Sequence, residues 1–229
     1  MRESKLLSAV QGGLAHRFLP VILAVIAFLI MLPAINSGLA MDDLLQRTIQ
    51  LKPEQIPSRL YNTGMVPEDS GKLSTVLFDL FGFNRKTENT KLAKDYGTLP
   101  WWMPGSMKAS LWRPFTAFTH WLDYRLYPDL PAAMHTHNIV WFAAIIFLVT
   151  IIYRKIIGTA WVAGFAAVLF LLDKNTYFPV MFVANRGFIV SLCFGLLCLY
   201  TFHKWRTTTS GFAVSAIDKP CLPDRAICT

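Results

Sequence analysis

Four apolar runs, separated by polar stretches of unequal length, organise the chain. Residues 18–35 (FLPVILAVIAFLIMLPAI) carry no charge. Residues 139–153 (IVWFAAIIFLVTIIY) form the second run if it starts near His135. Residues 156–172 (IIGTAWVAGFAAVLFLL) form the third. Residues 188–202 (FIVSLCFGLLCLYTF) form a shorter fourth, and the apolar stretch 177–184 either extends it or lies in the interface. A helix needs about 20 mainly apolar residues to cross a bilayer, fewer where polar flanks reach the headgroups. The pattern predicts an all-α polytopic membrane protein with about four transmembrane helices.

Between the first two runs lies a long segment, 39–137, with its own pattern. Leu44, Leu45, Thr48, Ile49 and Leu51 recur at helical spacing, which predicts a short amphipathic helix over 41–50. Its first turn carries Asp42 and Asp43, and Pro53 and Pro57 end it. Residues 73–83 (LSTVLFDLFGF) are too short to span and predict an interfacial helix. Residues 84–95 are polar and lysine-rich, as a surface loop is. Trp101 and Trp102 stand between Pro100 and Pro104; aromatic anchoring at the headgroups is the plain reading, a sugar-stacking platform the other. Residues 111–127 mix aromatics with Arg113, His120, Asp123 and Arg125. They predict an interfacial helix that starts after Pro114 and stops before Pro128.

Composition agrees with a membrane protein: 54% of residues are hydrophobic, 16% are charged, and mean hydropathy is +0.41. Charge then sets the orientation. Arg2, Lys5 and Arg17 precede the first run, Arg154 and Lys155 separate the second from the third, and Lys204 and Arg206 follow the fourth. With the N-terminus inside, all three clusters are cytoplasmic, and segments 39–137 and 173–187 share the outer face. The formal charge of +8 therefore reflects topology, and no compact basic patch calls for nucleic acid. The expected location is a bacterial inner membrane with both termini cytoplasmic. The first run could alternatively be a signal peptide cut after Gly38-Leu39-Ala40, although it is longer than a usual h-region. The domain reading is a cytoplasmic N-terminus (1–17), a membrane module (18–206) and a polar tail (207–229). That tail is read as a disordered end or the product of a truncated or frameshifted frame. Cys193 and Cys198 lie in the last run; Cys221 and Cys228 lie in the tail and are expected reduced.

The acidic pair carries the first chemical suggestion. Adjacent residues on a helix point about 100° apart. One carboxylate can face a reaction centre while the other orients it or helps to hold a divalent cation. A partly desolvated carboxylate is more basic, which suits general-base activation of a hydroxyl. The alternative is an acidic first turn that merely stabilises a helix N-terminus, by about 0.3–1 kcal/mol. Arg186, at the start of the fourth run, suits bidentate pairing with a lipid-linked phosphate or, more plainly, contact with headgroups. Arg113, His120, Asp123 and His135 are candidate substrate contacts, or else the polar decoration of interfacial helices. His135 and His137 are two apart and do not share a helical face, so they make no bis-histidine metal site.

Taken in order, Trp112-Arg113-Pro114-Phe115-Thr116, the stretch from His120 to Tyr127, His135 with Asn138, and the stretch from Pro179 to Gly187 form a pattern. It resembles the polytopic glycosyltransferases of the GT-C class, in particular the protein-O-mannosyltransferase-like members, over roughly residues 18–206. The resemblance implies a polyprenyl-phosphate-linked sugar donor, transfer with inversion outside the cytoplasm, Asp42 or Asp43 as base, and Arg186 near the donor phosphate. It also implies that the chain is an N-terminal portion, inactive alone, with a membrane partner supplying missing helices. Two places depart from the family pattern: Asp173-Lys174-Asn175-Thr176-Tyr177 stands where His-Pro is usual, and Phe142 where a second histidine is common. The rival reading is a non-catalytic integral membrane protein, either a degenerate remnant or a partner-docking subunit. A transporter is a distant third, because no run carries an interior charge.

Overall fold

Helix α8 (Pro131–Ile156) is the axis on which the other long helices pack. The computed structural model describes residues 2–62, 66–84, 90–95, 97, 99–105 and 109–217. Before α8 come α1 (Arg2–Ala15), α2 (Leu19–Met31), α3 (Asp42–Gln50), α4 (Ser58–Asn62), α5 (Leu73–Asp79), β1 (Gly82–Asn84), α6 (Thr90–Asp95), β2 (Ala109–Ser110) and α7 (Pro114–Leu126). After it come α9 (Ala160–Leu172), α10 (Lys174–Met181) and α11 (Arg186–Ile217). Pro131 opens α8 where its missing N–H costs nothing. Ile139, Phe142, Ile145, Ile146 and Val149 recur along α8 at spacings of three, three, one and three, and all are buried. They meet Leu23, Ala27 and Met31 of α2, and Ile189 and Cys193 of α11. In lipid, exclusion of water adds little between such helices; close van der Waals fit holds them.

Three helices are long and apolar enough to cross a membrane: Leu19–Asn36, Pro131–Ile156 and Val183–Thr208. The first is α2 prolonged by a 3₁₀ turn, Leu32–Asn36, where Pro33 interrupts the α-helical ladder. The expected third span is different. Helix α9 has 13 residues, a rise of about 20 Å against a hydrocarbon core of about 30 Å. It stops because the Asp173 carboxylate accepts the Asn175 N–H and caps a new helix, α10. Between them α9 and α10 still return along α8. The chain leaves the C-terminal end of α8 through a short turn. Near the other end, Asn138 of α8 donates to the carbonyls of Val180 and Phe182.

The end carrying Arg17, Arg154 and Lys155 is here the basic end, and the opposite one the loop end. At the basic end, Arg154 donates to the carbonyls of His16 and Arg17 and so closes the turn between α1 and α2. Residues 2–15, read from sequence only as a terminal segment, form a helix that lies on α9. Gly164 allows that approach, since a Cβ there would collide with the Leu14 carbonyl and the Leu19 side chain.

At the loop end, α3, α5 and α7 share a second small core of Ile49, Val76, Leu80, Phe81 and Ala117. Helices α3 and α7 form over the predicted residues, α7 with Pro114 in its first turn. The predicted helix over 73–83 is shorter: it ends at Asp79, and β1 pairs antiparallel with β2 through Gly82 and Ser110. The predicted loop 84–95 ends in α6; residues 85–89 lie outside the described residues. Trp101 and Trp102 are 85% and 66% exposed, and Trp112 is also exposed. Trp121 instead packs half-buried on the loop-end core. Helix α11 runs to Ile217, so part of the segment read as a polar tail is helical; Cys221 and Cys228 lie outside the described residues.

Candidate functional site

The acidic pair is divided by its position at the start of α3. Asp43 is fully buried, and Asp42 is exposed. One Asp43 oxygen accepts the Ala40 N–H at 3.1 Å; the other accepts the Ala184 N–H. Asp43 therefore clips the segment after α2 to the 3₁₀ turn Val183–Asn185 that precedes α11. Burial raises the Asp43 carboxyl above its usual value, against the lowering effect of those N–H groups and of the nearby His135. His135, also buried, lies within hydrogen-bonding distance of the Gly38 carbonyl at 2.7 Å and the Ser37 hydroxyl at 3.3 Å. Met41, just before the pair, adopts φ 51° and ψ −119°. A non-glycine residue there stores of the order of 1–3 kcal/mol, and such strain gathers at functional sites.

Arg186 faces inward. Its side chain is 0% exposed and forms an ion pair at 2.6 Å with Asp123, itself 8% exposed. Its Nε donates to Asn138 Oδ1 at 2.7 Å and one Nη to the Met134 carbonyl at 3.1 Å; Thr119 Oγ1 lies 3.5 Å from the other. The second Asp123 oxygen lies 3.0 Å from His137 Nδ1. A buried guanidinium is tolerated only when paired and hydrogen-bonded, and here α7, α8 and α11 each supply a partner or the charge itself. Contact with a lipid phosphate, expected from sequence, would require Arg186 to leave this enclosure. The same enclosure replaces the other sequence reading, contact with headgroups.

Arg113 and His120 lie beside this network without joining it. The Arg113 guanidinium lies over the Phe81 ring, 5.4 Å from its centroid, and crosses Gly187, where a Cβ would meet it at 2.9 Å. His120 is fully buried against the edge of Phe81, and neither ring nitrogen finds a partner among the described residues. Burial, with the charges of Arg186 and His137, holds its pKa well below the ordinary 6.5. The sign follows. Below pH about 6.5 the unfolded chain binds a proton that the folded chain refuses, so the contribution is fully present above that value and falls as pH drops through it. The loss is at most about 1.4 kcal/mol per pH unit. His120→Leu is expected to flatten the unfolding midpoint between about pH 7 and pH 5. A profile as steep as that of the unaltered chain would remove His120 as its source.

Of the residues singled out in the sequence, the structure joins Asp123 to Arg186 directly and sets Asp43 beside His135. The two clusters meet through the short step from Ala184 to Arg186. Asp42 stands apart, outward. A divalent cation does not fit the acidic pair: both Asp43 oxygens are taken by backbone N–H groups, and no cluster of three histidine, cysteine, aspartate or glutamate side chains occurs among the described residues. Sequence reasoning did not assign roles to Thr119, His137 or Tyr124. A polar residue recurring on the apolar side of a helix, as Thr119 and Asp123 do on α7, was the available signal. No family model, curated protein or solved structure matches the chain.

Proposed function

We propose that this chain carries part of a membrane glycosyl-transfer site that uses a polyprenyl-phosphate-linked sugar on the outer face of the membrane. The observation that carries the reading is the division of the acidic pair: Asp43 is anchored in protein while Asp42 is presented outward from a strained turn. Asp42 is then the carboxylate that takes the proton of an acceptor hydroxyl as its oxygen bonds to the anomeric carbon and polyprenyl phosphate leaves with the electron pair of the broken C–O bond, and Asp43 holds Asp42 in place. The Asp123–Arg186 pair positions α7 and α11 beneath it. Such a site needs a wall for the lipid tail, which a membrane partner with further helices would supply, so the chain alone is expected to turn over little. In this reading α9 and α10 cross the bilayer jointly as a broken third span, giving four crossings and cytoplasmic termini in a bacterial inner membrane.

The second reading, a non-catalytic membrane protein, draws on a different observation. Arg186 and Asp43 are enclosed and partnered, as charges that hold loops together are. Two experiments separate the possibilities. Cysteines at Trp101 and Thr208 are expected to react with an impermeant reagent from opposite faces; reaction from one face would remove the four-crossing arrangement. A photoreactive polyprenyl-phosphate mannose in nanodiscs is expected to label the chain, with the same donor unlabelled competing and the bare polyprenol failing to compete. Equal competition by the bare polyprenol would favour the non-catalytic reading.

A further inference from the structure

Arg186 does not present the donors that its place in the sequence suggested, because its guanidinium is enclosed and its N–H groups are spent on protein. A second arginine beside the start of α11 is in the opposite condition. Arg113 is half-buried, and its guanidinium lies against Gly187 and over the Phe81 ring. Among the described residues no carboxylate, carbonyl or hydroxyl accepts from it. We infer that Arg113 is the residue that captures the phosphodiester of a lipid at the loop end. That the lipid is a polyprenyl-linked sugar rests on the reading above; the phosphate contact itself does not.

Two observations carry the assignment. The first is the unspent charge. A guanidinium that has given up part of its hydration to a ring and a backbone is normally paired with an anion. The ring contact attracts the charge, yet it leaves the N–H groups without an acceptor. Those are the donors that match two phosphate oxygens at once. The other arginines of α3 and α7 differ: Arg47 is paired with Asp129, and Arg125 is exposed at the opposite end of α7.

The second observation is the surface around Arg113. Trp112 and Phe115 beside it in sequence, and Phe188 beside Gly187, are all exposed. Phe115 sets its ring edge-on to exposed Phe194, with centroids 5.2 Å apart. Phe188 and Phe194 belong to a helix long and apolar enough to cross a membrane. An unspent cation at the end of such a surface is met by an anion that brings an apolar tail, which selects a lipid phosphate over a soluble anion. The place also suits the acidic pair. Asp43 holds the Ala184 N–H, and Gly187 follows three residues later, at most about 11 Å along the chain. A phosphate on Arg113 therefore lies beside the turn that Asp43 fixes.

The test uses the full chain in dodecyl maltoside micelles, which contain no phosphate. Photoreactive forms of polyprenyl-phosphate mannose, phosphatidylglycerol and bare polyprenol are titrated separately, and the concentration for half-maximal labelling is read. Arg113→Gln is expected to raise that concentration roughly tenfold or more for a phosphate-bearing lipid, the loss of a charge-assisted contact, and to leave the polyprenol unchanged. Arg113→Lys keeps the charge, gives up the two-point geometry and should fall between. Gly187→Ala keeps the arginine and pushes it aside, since a Cβ would lie 2.9 Å from Nη1; it should weaken labelling by the same lipids. An effect on the mannosyl lipid alone assigns the site to the sugar donor. An effect on phosphatidylglycerol, with no labelling by the mannosyl lipid, keeps the phosphate site and removes the glycosyl-transfer reading. Labelling by the mannosyl lipid that ignores Arg113→Gln overturns the inference and leaves that reading in place. Equal loss of polyprenol labelling in the variant, or no labelling of the unaltered chain by either phosphate-bearing lipid, would also overturn it.

Discussion

Arg186→Met is expected to destabilise the chain by about 3–5 kcal/mol, because it leaves the Asp123 carboxylate buried at the loop end with His137 beside it and no guanidinium. The substitution also removes the guanidinium donor from Asn138 Oδ1 and from the Met134 carbonyl. The double variant Arg186→Met/Asp123→Leu is expected to recover most of the loss, since an apolar replacement of a whole buried pair is often neutral. Denaturant unfolding in one detergent gives both values. A single variant within about 1 kcal/mol of the unaltered chain would show that the pair is far more hydrated than its burial implies. A double variant as unstable as the single one would show that the hydrogen bonds around the guanidinium, and not its charge, hold the three helices.

The second large effect separates the two neighbouring carboxylates. Asp43→Asn offers one acceptor where two backbone N–H groups now meet carboxylate oxygens, and it turns an NH₂ toward the N–H of either Ala40 or Ala184. One buried donor is left unpaired, at a cost of about 1–3 kcal/mol. Asp42→Asn changes an exposed side chain and is expected to move stability by no more than about 0.5 kcal/mol. In transfer the order should reverse in kind. Loss of a base at Asp42 is expected to lower the rate by a factor of about 10²–10⁴ at unchanged stability. Any loss at Asp43 should track the fraction of folded, correctly docked loop.

How far the chain could be read before its structure was known depends on the range of the interaction. Helices α2, α3, α7 and α8 follow from local pattern, proline placement and length. The end of the third run at Leu172 was legible in Asp173-Lys174-Asn175, but not that α9 would start only at Ala160 and hold 13 residues, nor that Lys174–Met181 would form a helix of its own. The inward turn of Arg186 was not legible, for its partners lie 48, 52, 63 and 67 residues away at Asn138, Met134, Asp123 and Thr119. Sequence placed a charge at a helix start and could not show that α7 brings a carboxylate to meet it. The division of Asp42 from Asp43 was anticipated only as an angle on a helix; which of them is buried depends on where Ala184 lies.

The central claim is that the outward Asp42, held by buried Asp43, is the base of a glycosyl-transfer site. The most direct measurement is transfer of labelled mannose from polyprenyl-phosphate mannose, with the chain in nanodiscs alongside a membrane partner that completes the helices. Asp42→Asn, folded and inserted like the unaltered chain, is expected to lose a factor of about 10²–10⁴ in rate while still taking photolabel from the donor. Rates like those of the unaltered chain in both Asp42→Asn and Asp43→Asn would contradict the claim and leave the acidic pair as a helix-start and loop-holding device.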